Sequence, residues 1–300
     1  MSPSRIEPLT QGEVVMKRIG TFRLVLLAIL ALVFSTSCLA ISKQEMGTVI
    51  NLAGKQRMLT QKMSKEILLI AKGIDVEANK ASLEKTALLF DKTLKGLVNG
   101  DADLGLPKTT DPAILEQLGV VSSLWAEFRP NVDAALSGTL DKGTLEKVAA
   151  QNLPLLKNMN KAVQMYTKMS GSNLEPAMAT TINLAGKQRM LTQKMTKELL
   201  LVANGIDVEA NKANLKKTVA LFERTLKGLM NGDAELGLPG TQDPAIRAQL
   251  EVVQGLWAEY KPVLDKVDTS PEGLAKAAKL NIPLLKEMNK AVKMYEKSVK

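Results

Sequence analysis

The fourteen residues Ile50–Met63, INLAGKQRMLTQKM, occur a second time, letter for letter, at Ile182–Met195. The likeness spreads outward from this stretch at the same 132-residue offset. Leu89–Pro107, LFDKTLKGLVNGDADLGLP, returns as LFERTLKGLMNGDAELGLP at Leu221–Pro239. Asp111-Pro112-Ala113-Ile114 returns as Asp243-Pro244-Ala245-Ile246, and Trp125-Ala126-Glu127-Phe128 as Trp257-Ala258-Glu259-Tyr260. After a three-residue deletion the offset falls to 129, and Asn152–Tyr166, NLPLLKNMNKAVQMY, matches NIPLLKEMNKAVKMY at Asn281–Tyr295. A period this long marks one structural unit of about 130 residues used twice.

The composition predicts that the unit is helical. Aromatics make up only 3% of the chain, and Leu, Ala, Lys, Met and Glu dominate; these favour helices, whereas strands favour aromatic and β-branched side chains. Four helices are expected per copy. In the first copy, helix 1 runs from about residue 44 to Lys72 and stops at Gly73. Helix 2 covers about Val76 to Asn99 before Gly100. Helix 3 opens with Asp111 as N-cap and Pro112 in the first turn. It continues to about Leu136 with a kink expected at Pro130. Helix 4 spans about Thr144 to Lys168, with Pro154 inside. Amphipathic helices joined by short loops imply antiparallel packing. The chain therefore reads as all-α: two tandem antiparallel four-helix bundles, residues 41–170 and 171–300, after an N-terminal extension and signal segment at 1–40.

That segment has the layout of an export signal. Lys17, Arg18 and Arg23 precede an apolar run, Leu24–Phe34, and small or polar residues then lead to a cleavage site after Ala40. The run is short of the roughly 20 residues that span a bilayer, which places an uncleaved anchor second to a cleaved signal. Cys38 offers a lipid-acceptor reading, weakened by Ser35 at the position where such signals carry Leu. The mature protein is expected in the periplasm.

The composition also excludes several chemistries. There is no histidine, and Cys38 is the sole cysteine, so the commonest general base, the commonest metal ligand and any disulfide or thiolate cluster are missing. No phosphate loop or nucleophile elbow is present. Neither a catalytic residue, a metal site nor a cofactor is expected. The formal charge is +9; the first forty residues carry four cations and two acids, so the remainder stands at +7. This favours anionic partners in general, but the cations alternate with acids along helices, and no nucleic-acid surface is read from them. The acids of Asp101-Ala102-Asp103 and Asp233-Ala234-Glu235 lack the twelve-residue calcium pattern and read as loop chemistry. The methionines and Trp125 and Trp257 read as core.

Helix 1 carries two apolar stripes. Leu52, Leu59, Met63, Ile67 and Ile70 form one, the bundle core. Ile50, Ala53, Arg57, Gln61, Ser64 and Leu68 form another, roughly 145° around the helix. Small residues flanking one arginine suit close approach of a second helix, so helix 1 is expected to meet a copy of itself. Two readings of Arg57 and its repeat Arg189 stand side by side. Either each pairs with a glutamate or carbonyl of its own bundle or points to water, or the two face one another and require an anion between them. A small oxyanion such as nitrate, or a carboxylate, matches the planar guanidinium.

At these residues the sequence resembles the PilJ/NarX-like N-terminal sensor domain of type IV pilus chemotaxis transducers and nitrate/nitrite sensor kinases. Asn51, Ala53, Gly54, Arg57 and Met58, and again Asn183, Ala185, Gly186, Arg189 and Met190, match its core pattern. The resemblance implies a periplasmic antiparallel four-helix bundle that pairs through helix 1, with anion contacts from Arg57 and Arg189 at the seam. It further implies that Gly54 and Gly186 permit close backbone approach beside Asn51 and Asn183. The expected function is a non-enzymatic sensor of a small anion that reports to a separate membrane receptor, kinase or chemotaxis transducer, since the chain ends after the second helix 4. The alternative is an interaction protein whose helix 1 face docks a receptor or pilus component without a ligand. Pairing is expected either as a homodimer or as a pseudo-dimer within one chain, according to whether helix 4 of copy one runs straight into helix 1 of copy two.

Overall fold

The computed structural model describes residues 41–172 and 174–299. The signal segment, its cleavage site and Cys38 lie outside the described residues.

The first helix begins where Ser42 and Glu45 close a reciprocal capping box: Glu45 N–H donates to Ser42 Oγ at 3.2 Å and Ser42 N–H to Glu45 Oε2 at 2.8 Å. This helix, α1, spans Lys43–Ala71. After a turn through Gly73 it gives way to α2, Val76–Asn99. Asp111 accepts from the Ala113 and Ile114 amides and starts α3, Pro112–Ser137; Asp141 caps α4, Lys142–Met169. The second copy supplies α5 (Pro176–Ala203), α6 (Val208–Asn231), α7 (Pro244–Asp265) and α8 (Pro271–Lys297). The three-residue deletion falls at the end of α7, which has 22 residues against 26 in α3. Pro130 and Pro154 both sit inside continuous helices. No helix among the described residues is long and apolar enough to cross a membrane.

Each copy closes into a ring in which helix 1 touches helices 2 and 4, and helix 3 touches helices 2 and 4. The core contains the expected aromatic anchors: Trp125 lies 4.7 Å from Phe90, and Trp257 lies 4.5 Å from Phe222, between ring centroids. Met63, Met159, Met195 and Met288 are fully buried.

The two copies do not stack end to end. A short 3-10 turn at Ser170–Ser172 ends α4, Leu174 N–H donates to Ser170 O at 2.7 Å, and Pro176 opens α5 in a new direction. The boundary proposed between residues 170 and 171 falls in this turn. The largest helix–helix contact in the molecule is then α1 against α5, between copies. Gly47 approaches Ile182, Gly54 approaches Arg189, and Lys65 reaches Asn281, which itself holds Thr192. These contacts climb both helices in the same order, so α1 and α5 run parallel. The pairing is a pseudo-dimer within one chain.

This position explains the burial along α1. Ile50, Ala53, Arg57, Gln61, Ser64 and Leu68, the second stripe, are all buried. On the first stripe Leu59, Met63 and Ile67 are buried, while Leu52 and Ile70 are only partly so. The stripe expected to meet another copy of helix 1 is therefore covered by the chain's own second copy. Ala53→Leu at this seam is expected to cost about 1–3 kcal/mol by overpacking. Gly119→Ala, exposed on α3 with open space at its Cβ position, is expected to gain about 0.8–1 kcal/mol from helix propensity. Urea unfolding of the two variants measures both.

Candidate functional site

The α1–α5 seam brings the two arginines together. Arg57 and Arg189 are each 1% exposed and are the largest fully buried side chains among the described residues. Helical side chains lean toward the N-terminus, so each arginine crosses the seam to a carbonyl six residues before its opposite number. Arg57 Nη2 donates to Asn183 O at 3.0 Å, and Arg189 Nη2 to Asn51 O at 3.0 Å. Each Nη1 donates to an asparagine of its own helix 4: Arg57 to Asn160 Oδ1 and Arg189 to Asn289 Oδ1, both at 2.8 Å. Arg57 Nε turns to Gly54 O at 3.5 Å, whereas Arg189 Nε has no hydrogen-bond partner.

The glycines lie where the guanidiniums converge. A Cβ on Gly54 would sit 3.2 Å from Arg57 Nη2 and 3.9 Å from Arg189 Nη2; one on Gly186 would sit 3.4 Å and 3.7 Å from the same two atoms in the opposite order. The asparagines, glycines and arginines of the motif are thus in one place. Asn51 and Asn183 contribute backbone carbonyls to the arginines, so the asparagine side chain is not what Arg recognises. Asn51 Nδ2 instead donates to Glu296 Oε2 at 2.5 Å.

No carboxylate hydrogen-bonds to either arginine among the described residues. Burial, reinforced by the neighbouring Arg189, pulls Arg57 down to about 9. Burial pulls Arg189 to about 10, opposed by Glu296. Lys55 and Lys187 flank the pair and are lowered as well, chiefly by burial. Glu296 breaks the two-fold, because its counterpart on α4 is Thr167.

A second polar layer lies further along the seam and is not evident from the motif. Asn152 accepts from Gln61 Nε2 at 2.9 Å and from Lys197 Nζ of the other copy at 2.9 Å, and donates to Thr60 O and Ser64 Oγ. Asn281 does the reciprocal work for Gln193 and Lys65, donating to Thr192 O and Thr196 Oγ1. Burial draws both Lys65 and Lys197 down to about 8. The signal for this layer was in the repeat. Asn152 and Asn160 are kept as Asn281 and Asn289, while the solvent-side Asn158 becomes Glu287. The Asp101 and Asp233 loops act as local caps to Leu104 and Leu236 amides. No group of three metal-ligating side chains occurs among the described residues.

The family described as "Type IV pili methyl-accepting chemotaxis transducer N-term", PilJ, matches residues 40–150 and again 175–281. The chain belongs to this family. Each match takes in one arginine motif. The methyl-accepting chemotaxis protein McpN of Pseudomonas aeruginosa is 35% identical over 136 residues, covering 44% of this chain and 24% of McpN. Protein PilJ of the same organism is 26% identical over 258 residues, covering 84% of this chain and 37% of PilJ. The chain thus spans well under half the length of either relative. Only the longer alignment is long enough to take in both PilJ-type units.

The buried cations make stability depend on pH. A base whose pKa falls on folding binds its proton more weakly in the folded state, so stability rises with pH once the folded group has released a proton that the unfolded group retains. For Lys65 and Lys197 this window runs from about 8 up to the ordinary lysine value of 10.5. The buried tyrosines Tyr166 and Tyr260, raised to about 12, oppose the trend only once unfolded phenols ionise, near pH 10. The thermal midpoint is expected to climb between about pH 7.5 and pH 9.5. The climb should be roughly halved in Lys65→Met, as followed by circular dichroism.

Proposed function

We propose that this chain is a non-enzymatic sensory module of a chemotaxis-type signalling system, exported to the periplasm, that takes a small oxyanion or carboxylate between Arg57 and Arg189. It would report the bound state to a separate receptor or transducer. One observation carries the reading: two fully buried guanidiniums converge on the same point of the seam without a carboxylate hydrogen-bonded to either. Burying like charges side by side is costly, and an anion held between them removes that cost. Nitrate or a carboxylate presents coplanar oxygens to the donors that each Nη retains. Family membership and the chemotaxis relatives support the sensory role.

A second reading has its own observation. The bonds from Arg57 to Asn183 O and from Arg189 to Asn51 O tie the copies together without any ligand. On that reading the arginines are clips, and the protein is a scaffold that docks a receptor or pilus component. It would dock by another face, because the helix 1 seam is occupied by α5.

Calorimetric titration of the purified protein with nitrate, nitrite, acetate and malonate separates the two. Saturable binding of one of these anions is expected. It should weaken by roughly tenfold or more in Arg57→Lys, which keeps the charge but loses the fork, and vanish in the Arg57→Ala/Arg189→Ala double variant. No heat with any of the four, or binding indifferent to Arg57→Lys, leaves the scaffold reading standing alone.

A further inference from the structure

A groove of about 490 Å³ opens between α1, α2 and α8, on the boundary between the two copies. Its size is that of small-molecule sites, and it is separate from the arginine seam. Lys65 and Glu66, both buried, line its inner end, beside Asn281. Ile282 and Leu285 of α8 and Leu69 of α1 give it an apolar wall. Ile282 is 64% exposed, the most exposed large hydrophobic side chain among the described residues.

The hydrogen-bond inventory of the inner end is unbalanced in two opposite ways. Lys65 has three donors and, among the described residues, spends one, on Asn281 Oδ1 at 3.1 Å, and forms no salt bridge with a carboxylate. Glu66 binds Lys62 through Oε1, and its Oε2 is buried with no partner. Lys62 cannot serve a ligand, because its donors go to Glu66, Ser82 and Thr86. The groove therefore offers an ammonium lacking acceptors and a carboxylate oxygen lacking a donor, next to an apolar wall.

The pseudo-symmetric groove gives an internal comparison. It lies between α4 and the α5–α6 turn, and is lined by Lys142, Glu146, Leu153 and Asp207 without reaching Lys197 or Glu198. Where the first groove is lined by Ala275 and Lys279, the second is lined by Glu146 and Ala150. Of the two, the α1–α2–α8 groove is the one that reaches its buried Lys–Glu pair.

We propose that the α1–α2–α8 groove binds an aliphatic α-amino acid, its carboxylate on Lys65, its ammonium on Glu66 Oε2 and its side chain against Ile282. Neither charged end suffices alone, because each would leave the other group of the pair unmatched in a buried place. Burial keeps the Lys65 ammonium poorly solvated at neutral pH, which raises the gain from a carboxylate partner.

The test is calorimetry on the full chain with L-valine, L-leucine and L-isoleucine, against isovalerate and isoamylamine as the carboxylate-only and amine-only halves. Saturable binding of at least one amino acid is expected, with neither half binding at about 10 mM. Affinity should fall roughly tenfold or more in Lys65→Met and in Ile282→Asp, and stay unchanged in Leu153→Asp, at the equivalent exposed residue of the second groove. Should Lys65→Met fail to fold, Ile282→Asp, on an exposed wall, decides. No binding of any amino acid, equal binding of isovalerate, or binding indifferent to Ile282→Asp overturns the proposal. Loss of binding in Leu153→Asp with Ile282→Asp silent also overturns it, since the ligand would then belong to the second groove.

Discussion

Two guanidinium groups buried side by side between α1 and α5 set the terms for everything around them. A buried arginine must have its donors met and its charge tolerated, and here that demand falls on parts of the fold remote in sequence. Helix 4 of each copy provides an asparagine, and helix 1 of the opposite copy provides a carbonyl. Neither bundle can meet the demand alone. The arginines thus make the association of the two copies part of folding, and the glycines one turn before them let the helices come close enough for the reach.

Tandem duplication changes the thermodynamics of such a seam. Two separate chains would lose translational freedom on pairing, whereas a short tether makes the second copy a neighbour at high effective concentration. The tether here is the turn from Ser170 to Pro176, and it imposes the geometry as well. The helices α4 and α1 are antiparallel within a bundle. A reversal after α4 therefore lays α5 parallel to α1, in the register at which Arg57 and Arg189 meet.

One chain can also diverge where two identical chains cannot. Glu296 on α8 faces Asn51, while Thr167 holds the equivalent place on α4. Tyr260 bonds Thr196 at 2.6 Å, and copy one has Phe128 beside Ser64, losing hydroxyl and methyl together. The inter-copy grooves differ through Ala275 against Glu146 and Lys279 against Ala150. A homodimer would carry each of these changes twice. The covalent pseudo-dimer carries them once, which is how a symmetric fold acquires two unlike ends and unlike grooves.

The helices were legible in the sequence because their signals are local. Asp111 with Pro112, the glycines at 73 and 100, and the spacing of apolar residues act within a turn or two, and the observed ends fall within two residues of the expected ones. The arginine motif was legible because it was repeated without change, and its asparagines, glycines and arginines gather at the seam. What the sequence left open was which copy the seam would meet, since a few residues around Gly171 decide between a straight helix and a reversal. That Lys65, Glu66, Asn152 and Asn281 are buried was not evident from their own positions, although the repeat keeps both asparagines. On a helical wheel a lysine or asparagine reads as a solvated face, and only the arrival of α5 and α8 on that face takes it out of water. Sequence alone determined the unit, its duplication and the residues that had to be special. The tertiary structure decided that the two units complete one another, because burial on α1 is a property of what packs against it and not of α1 itself.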